Sequence, residues 1–367
     1  MSVKTICIDA RLYGYAHTGI GRYVANLIRF LPADKHTRIV LIVSPADYSN
    51  PQLQAYPRFI ARFHPYHPLA QLEMPLLALR IRADLLHVPH FSIPVLWPGR
   101  LVVTVHDLIK NISRGRDTTT RSPMMYHLKY LGYLFVLKLA LLRARKIFVP
   151  AKYWREILIR DYRIDPSRII VTYEGVDTQI TRSSVPTEFA LPKPLVVYTG
   201  NLYPHKNVPV LLRAIKLFNG EVHLAIVCAR SVFTQRFEKM VHTLNLEKEV
   251  VFLGRLTDAQ LSSLYAYADL FVFPSLIEGF GLPGLEAMAV GLPVIAAKAS
   301  CLPEIYRQAA LYFNPHDPKD LQLKISRVLA DPALRANLIS RGQKLVKLYS
   351  WPKMAKITWT EYQNALR

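Results

Sequence analysis

The stretch from Leu270 to Ala297 leaves a chain little choice of local structure. Leu270 to Phe273 is an apolar run short enough for a buried strand, and Pro274-Ser275 ends it. Gly279 and Gly281 make a loop whose backbone can approach a ligand closely. Pro283 is expected at the first helical position, where a missing N–H costs nothing. Gly291 closes the helix, and Pro293 leads into Val294 to Ala297, a second strand. The loop carries Glu278 and the first helical turns carry Glu286. Helix-start amides form an anion site, and two carboxylates accept hydroxyl hydrogens. Strand, glycine loop, helix and strand in this order suit a phosphorylated, hydroxyl-rich ligand.

The same alternation of strand and helix runs through the chain in two sets. Lys4 to Asp9, Arg38 to Ser44, Leu101 to Leu108, and the segments starting at Lys146 and Arg168 read as strands of a first set. Leu195 to Gly200, Val222 to Cys228, Val250 to Gly254, and the strands around the glycine loop form a second. Helices are expected over Gly21–Leu31, Gln71–Arg82, Val208–Leu217 and Val232–Leu244, with another after Thr257 or Asp258 as N-cap. This pattern predicts two doubly wound α/β domains facing one cleft. At 367 residues two domains are also the default by size. The predicted boundaries are 1–180, a Ser/Thr/Pro-rich linker over 181–194, and 195–350, with a C-terminal helix over 351–367.

Strand ends nominate further residues. In open α/β sheets ligands bind at the carboxyl ends of strands, and His106 and Asp107 stand at such an end. His106 is read either as a ligand-facing imidazole or as a buried structural one. Lys206 sits where a strand end meets a helix start, a place for a cation to meet a diphosphate. Gly19 and Gly21 are read as a turn between strand and helix, either a plain tight turn or a loop beside a sugar or phosphate; the full dinucleotide fingerprint is absent.

Charge narrows the partners. The net charge is +21, and residues 1–180 hold 25 Lys+Arg against 12 Asp+Glu. Nucleic acid, anionic lipid and phosphorylated substrates would all be attracted. No nucleic-acid recognition motif is present, and the aromatics fall in core-like patterns, so a basic nucleic-acid-binding protein is the remote alternative. Ser122 to Lys146 reads as a long basic, apolar helix with Tyr126, Tyr130 and Tyr133 at helical spacing. It is either a core helix with solvated lysines or a membrane-surface element. Lys129 and Lys138 within it, with Arg114, Arg116 and Arg121 before it, are the candidate membrane or acceptor side. No uncharged apolar run of about 18 residues occurs, so no membrane span is expected. The start of the chain reads as a strand rather than a signal peptide, and Cys7, Cys228 and Cys301 are scattered, without metal spacing. A cytoplasmic protein is expected.

Taken together, these residues resemble the retaining glycosyltransferases of family 4, which have the GT-B fold of two Rossmann-like domains. The most specific element is Glu278, seven residues, then Glu286, within Glu-Gly-Phe-Gly-Leu-Pro-Gly-Leu-Glu. Val105-His106-Asp107-Leu108, Thr199-Gly200-Asn201 with Lys206-Asn207, Leu302-Pro303-Glu304 and Tyr349-Ser350-Trp351 follow in the family's order. Within the family the sequence looks most like bacterial mannosyltransferases of polysaccharide or lipid-linked glycan synthesis.

The resemblance implies a hexosyltransferase, with mannose from GDP-mannose as the first choice of donor and a UDP-sugar as the alternative. It implies Glu286 on the nucleotide ribose and Glu278 on the donor sugar. Lys206 would hold the diphosphate, amides near Gly279, Phe280, Gly281 and Leu282 would hold sugar or phosphate oxygens, and Gly19 and Gly21 would lie beside the diphosphate. His106, Glu278 and Lys206 are the implied catalytic residues. Many members have Arg where this chain has Asn201 after Gly200, so Arg255 after Gly254 is a second candidate cation. No cofactor or metal is implied, and no clustered Asp-x-Asp is present. The implied partners are a polyprenyl-diphosphate-linked or growing glycan acceptor and the anionic inner face of the cell membrane. The helix after Trp351 is implied to pack back on the first domain.

Overall fold

The computed structural model describes residues 3–14, 18–113, 123–176, 189–229 and 232–367. Arg114, Arg116, Arg121 and most of the 181–194 linker lie outside them. The described residues divide into two compact units. The first takes the chain up to Leu108, then residues 123–174 and Ser350–Arg367; the second takes residues 109–113 and the described part of Gly175–Tyr349.

The first unit is a seven-stranded parallel sheet: β1 (Lys4–Asp9), β2 (Thr37–Val43), β3 (Arg58–Ile60), β4 (Leu85–Val88), β5 (Arg100–Thr104), β6 (Lys146–Val149) and β7 (Ile169–Val171). The strands lie in the order β3-β2-β1-β4-β5-β6-β7. β1, β2, β4, β5 and β6 are buried along almost their whole length, as a parallel sheet covered on both faces requires. The helices are α1 (Thr18–Phe30), α2 (Ala70–Ile81), α3 (Ile109–Ile112, assigned to the second unit), α4 (Pro123–Arg143) and α5 (Lys152–Tyr162).

The second unit repeats the plan with β8 (Leu195–Thr199), β9 (His223–Val227), β10 (Val250–Gly254), β11 (Leu270–Phe273), β12 (Val294–Ala297) and β13 (Ala310–Phe313), in the order β10-β9-β8-β11-β12-β13. Its helices are α6 (Val208–Lys216), α7 (Val232–Thr243), α8 (Asp258–Tyr267), α9 (Leu282–Val290), α10 (Leu302–Tyr306), α11 (Pro318–Ala330) and α12 (Pro332–Val346). Thr257 caps α8 in a capping box with Gln260. In each sheet the strand order reverses beside the first strand, between β1 and β4 and between β8 and β11. In open parallel sheets such a point, at the carboxyl ends of the strands, is where ligands bind.

The last helix, α13 (Trp351–Leu366), is capped by Ser350 and belongs to the first unit. It joins a buried polar chain there. Tyr362 Oη lies 2.5 Å from His87 Nδ1, His87 Nε2 lies 3.0 Å from Thr104 Oγ1, and Thr104 Oγ1 lies 3.1 Å from Tyr23 Oη. Burial holds the His87 imidazole down at about 3, with His106 and His90 adding like charge, so Nδ1 accepts from the tyrosine and Nε2–H donates to Thr104.

Several sequence expectations shift. α1 starts at Thr18, so Gly19 and Gly21 lie in its first turn rather than in a preceding loop. First-turn amides have no partner within the helix, so the sequence signal of a Gly-x-Gly turn and of a helix start coincide there. Pro283 is the second residue of α9, after Leu282. α4 is not a core helix: Met124, Leu128, Leu131 and Phe135 are 60–80% exposed. By length and composition its residues Met124–Arg143 could also cross a membrane, which run length alone had excluded; Lys129 and Lys138 interrupt the run without making it polar.

The buried chain makes a prediction. Tyr362→Phe strands His87 Nδ1 without a donor and is expected to lower stability by roughly 1–3 kcal/mol in urea unfolding.

Candidate functional site

In the second unit the site is built where β8 and β11 part. The loop after β8 passes Gly200 and Asn201 and turns through Pro204–Lys206 before α6. The loop after β11 runs from Pro274 to Gly281 before α9. The two loops are sewn together, since Leu276 N–H donates to His205 O at 2.8 Å. They bring Lys206 Nζ to 2.6 Å from Glu278 Oε1, with both side chains almost buried, at 13% and 9% exposed. The lysine also lies over the Phe273 ring.

The glycine loop is clamped from below by the start of α10. Glu278 N–H donates to Ser300 Oγ at 3.2 Å, and the Cys301 thiol lies 3.3 Å from Glu278 O. Tyr306 donates to Gly281 O at 2.6 Å. Gly281 takes φ +97°, a backbone state that side chains rarely adopt, and it caps α9. At Gly284 a β-carbon would run into the Tyr306 ring and hydroxyl. Both glycines are therefore dictated by close approach. Burial, and then the charge on Glu278, push Tyr198, Tyr306 and Cys301 well above their ordinary values, which keeps all three as neutral donors. Burial beside Lys206 holds His205 down at about 4, so it is neutral at neutral pH.

The remaining predicted residues distribute unevenly. Glu286 is buried at 4% exposure in α9, and Phe280 packs edge-on to Tyr349. Gly279 and Leu282 lie on the same loop and helix start. Gly200 approaches the Tyr198 hydroxyl, which donates to Asn201 O at 2.6 Å. Asn201 itself is exposed. Arg255 is exposed too, at the end of β10, two strands away from β8. Lys206 is thus the cation that the fold sets against Glu278.

The first unit gathers a second polar cluster at its own strand ends. Asp9 ends β1, and Arg11 grips it with Nε at 2.8 Å and Nη2 at 2.7 Å while donating to Phe63 O at 2.9 Å. His90 Nε2 lies 3.3 Å from Asp9 Oδ2. Burial works against the charge on Asp9, but Arg11 and then His90 overcome it and hold the carboxyl well below the usual range. His106 is nearby in sequence order of strands, after β5. Its Nε2 donates to Pro89 O at 3.0 Å and its Nδ1 lies 3.5 Å from Glu174 Oε1, while Tyr23 packs edge-on at 4.8 Å. A carbonyl only accepts, so Nε2 carries a proton, and the Nδ1 side faces a carboxylate. Gly19 is exposed and Gly21 buried at the start of α1.

Asp9, Arg11, His90, Glu174, His205, Ser300 and Tyr306 were not singled out from sequence. For Asp9 and Arg11 the visible signal was a charged residue just past an apolar strand, in Ile8-Asp9-Ala10-Arg11. The three cysteines are free and buried. Among the described residues no three of His, Cys, Asp or Glu converge as a metal set.

Comparison with known proteins fits this arrangement. Residues 17–180 match the family model Glycosyltransferase Family 4, and residues 179–345 match Glycosyl transferases group 1. The chain belongs to glycosyltransferase family 4. It is 28% identical to O-antigen chain mannosyltransferase B of Escherichia coli, covering 95% of this chain and 97% of that one. It is also 28% identical to O-antigen chain mannosyltransferase RfbU of Salmonella typhimurium, over 77% of this chain and 75% of the other. The fold is shared with Anabaena Alr3699/HepE, solved in complex with UDP and glucose, at a TM-score of 0.75 and 18% identity over 98% of this chain and 100% of that chain. The architecture is GT-B, and the chain is a glycosyltransferase.

Two predictions come from the site. Lys206→Met takes the cation away from a nearly buried carboxylate and is expected to cost roughly 1–3 kcal/mol of stability. The Lys206→Met/Glu278→Gln pair should recover most of that loss in denaturant titrations and still fail to transfer sugar. The pH dependence follows from His205. Its folded-state value, about 4, lies below the ordinary 6.5, so the unfolded chain binds the extra proton between those values. Stability should fall as pH drops from 6.5 towards 4, and a His205→Asn variant should show a smaller drop between pH 7.5 and 5 in urea.

Proposed function

We propose that this enzyme transfers mannose from GDP-mannose, with retention of anomeric configuration and without a metal ion, to a lipid-linked or growing glycan acceptor. The observation that carries the reading is the Lys206–Glu278 pair at the point where β8 and β11 part, beside the head of α9. The names of the two mannosyltransferase relatives favour mannose as the sugar.

In this reading Lys206 serves two anions. With no donor bound it neutralises Glu278; with a donor it also meets the diphosphate, whose negative charge grows as the bond to the sugar breaks. A cation fixed in a dry site stabilises that leaving group strongly. The head of α9 adds its positive dipole end to the same oxygens. Glu278 accepts hydrogen bonds from donor-sugar hydroxyls, and Glu286 does so from the ribose. Neither glutamate is asked to be a covalent nucleophile. The acceptor hydroxyl attacks from the face that the diphosphate leaves, and the departing phosphate oxygen takes its proton. His106, held by Pro89 and Glu174, is proposed as the catalytic contribution of the first unit.

Donor choice is open to direct measurement. GDP-mannose is expected to raise the melting temperature of the protein, because a ligand that binds the folded state stabilises it. UDP-glucose and ADP-glucose should shift it less; a larger shift with UDP-glucose would replace the donor. Glu286→Ala should keep the wild-type circular dichroism spectrum and lose transfer by about 100-fold or more, as expected when buried donor-positioning groups are lost. Unchanged turnover in that variant would remove Glu286 from the site.

A further inference from the structure

Asp9, Arg11 and His90 are almost completely buried, and they stand where β1 and β4 part, at the ligand-binding end of an open parallel sheet. A buried ion pair is costly to desolvate and adds little net stability, so the placement it imposes is its more telling property. That placement can be followed atom by atom. His90 Nδ1 accepts from the Ser92 N–H at 3.1 Å, so the ring proton stands on Nε2 and is donated to Asp9 Oδ2. Burial, with like charge from Arg11 and His106, outweighs Asp9 and holds the ring below its ordinary value, in keeping with a neutral imidazole. Ser92 Oγ donates to Pro65 O at 2.9 Å, Arg11 reaches Phe63 O, and the Tyr66 ring packs edge-on to His90 at 5.9 Å. The segments after β1, β3 and β4 are thereby fastened together at one buried point.

The segment after β4 also supplies the Pro89 carbonyl, which is bonded directly to the His90 nitrogen and accepts from His106 Nε2 at 3.0 Å. The peptide joining Pro89 to His90 is therefore tied to Asp9 through one side chain and to His106 through its oxygen. On the other side of the His106 ring, Glu174 Oε1 lies 3.5 Å from Nδ1. Tyr23, itself held by Thr104, meets the ring edge-on. Of these supports, the Pro89 carbonyl is the hydrogen-bond acceptor that fixes the direction of Nε2–H.

We propose that His90, anchored by Asp9 and Arg11, is a positioning residue that sets the orientation of His106. Its own ring is spent on Asp9 and Ser92, so neither nitrogen is left for a ligand, and it acts through the Pro89 carbonyl. The assignment rests on His106 as the first unit's catalytic contribution and adds the device that aims it. A misplacement of about 1 Å at a reacting group can lower turnover by roughly 100-fold, which gives a buried, rigid cluster a chemical use beside that histidine.

Three substitutions separate aiming from mere support. His90→Gln keeps an N–H for Asp9, His90→Asn keeps the acceptor for Ser92 but falls short of Asp9, and His90→Leu keeps neither. In NMR spectra of the full chain labelled at its histidines, the His106 ring signal is assigned from its loss in His106→Ala. It is expected to shift in His90→Asn and His90→Leu and to return in His90→Gln. For transfer from GDP-mannose, kcat should fall about 10–100-fold in the first two, with KM for GDP-mannose within about twofold of the wild type, and His90→Gln should recover to within about threefold. In the His106→Ala background, His90→Asn should cost less than about twofold more, because nothing is left to aim. A His106 signal unmoved in His90→Asn, or wild-type kcat in that variant, would overturn the assignment. So would losses that multiply across positions 90 and 106, a rise in KM in place of the fall in kcat, or a His90→Gln variant as slow as His90→Asn. Loss of the folded circular dichroism spectrum in His90→Asn would overturn it as well, by making the cluster purely structural. Wild-type turnover in His106→Ala would remove His106 and its device from the reaction together. Failure of the aiming alone looks different: His106→Ala is slow, yet the His106 signal of His90→Asn matches the wild type.

Discussion

A lysine and a glutamate 2.6 Å apart, both nearly out of solvent, are the arrangement on which the second unit's loops depend. Neither charge could be buried alone without a cost of several kcal/mol. Their pairing requires the β8 and β11 loops to meet, and the parallel strand order makes that meeting possible. β8 is flanked by β9 on one side and β11 on the other, so the chain departs in opposite directions from adjacent strands. Everything beneath the pair serves to hold the glycine loop: Ser300, Cys301 and Tyr306 bind its backbone, and the charge of Glu278 helps to keep the thiol and phenol neutral. In the proposed reaction the pre-formed ion pair also has chemical use: a cation already fixed in a nearly dry site needs no reorganisation when a diphosphate arrives.

The first unit solves the same problem of polar groups at strand ends in another way. Asp9, Arg11 and His90 close on one another in full burial, and the His87 chain hands hydrogen bonds from α13 to β5 and α1. The C-terminal helix is thus part of the first unit's core rather than an appendage. Arg145 donates to Ala365 O, and Lys146 pairs with Glu361 at 3.1 Å, so the start of β6 is joined to the last turns of α13. His106 stands beside this network through the Tyr23 ring, with its Nε2 held by the Pro89 carbonyl.

Much of this was legible in the chain, and the reasons differ by residue. The alternation of apolar strands with amphipathic helices prescribes two parallel-sheet units because each strand is buried on both faces. The stretch from Leu270 to Ala297 announced its strand, loop and helix because glycine and proline have few places to go. Helix ends were less legible. Gly19 and Gly21 read as a loop yet begin α1, since a glycine signal is shared by turns and first turns. α4 read as either core or surface, because its composition is apolar around the whole helix and only the packing says which side is covered.

By itself, the sequence determined the fold class, the family and the placement of Glu278 in the glycine loop and Glu286 in the helix after it, because these rest on local spacing and backbone chemistry. Tertiary structure alone decided which cation meets Glu278, since Lys206 and Glu278 are 72 residues apart and Arg255 was a second candidate on paper. It alone decided that Asp9, Arg11 and His90 form one buried cluster, because strand order, not sequence distance, makes β1 and β4 neighbours. It also decided that α2 and α4 hold the same residue, through the backbone N–H and C=O of Val95. Spacing along a chain can be read directly, but contacts between distant segments exist only once the sheet has set their order.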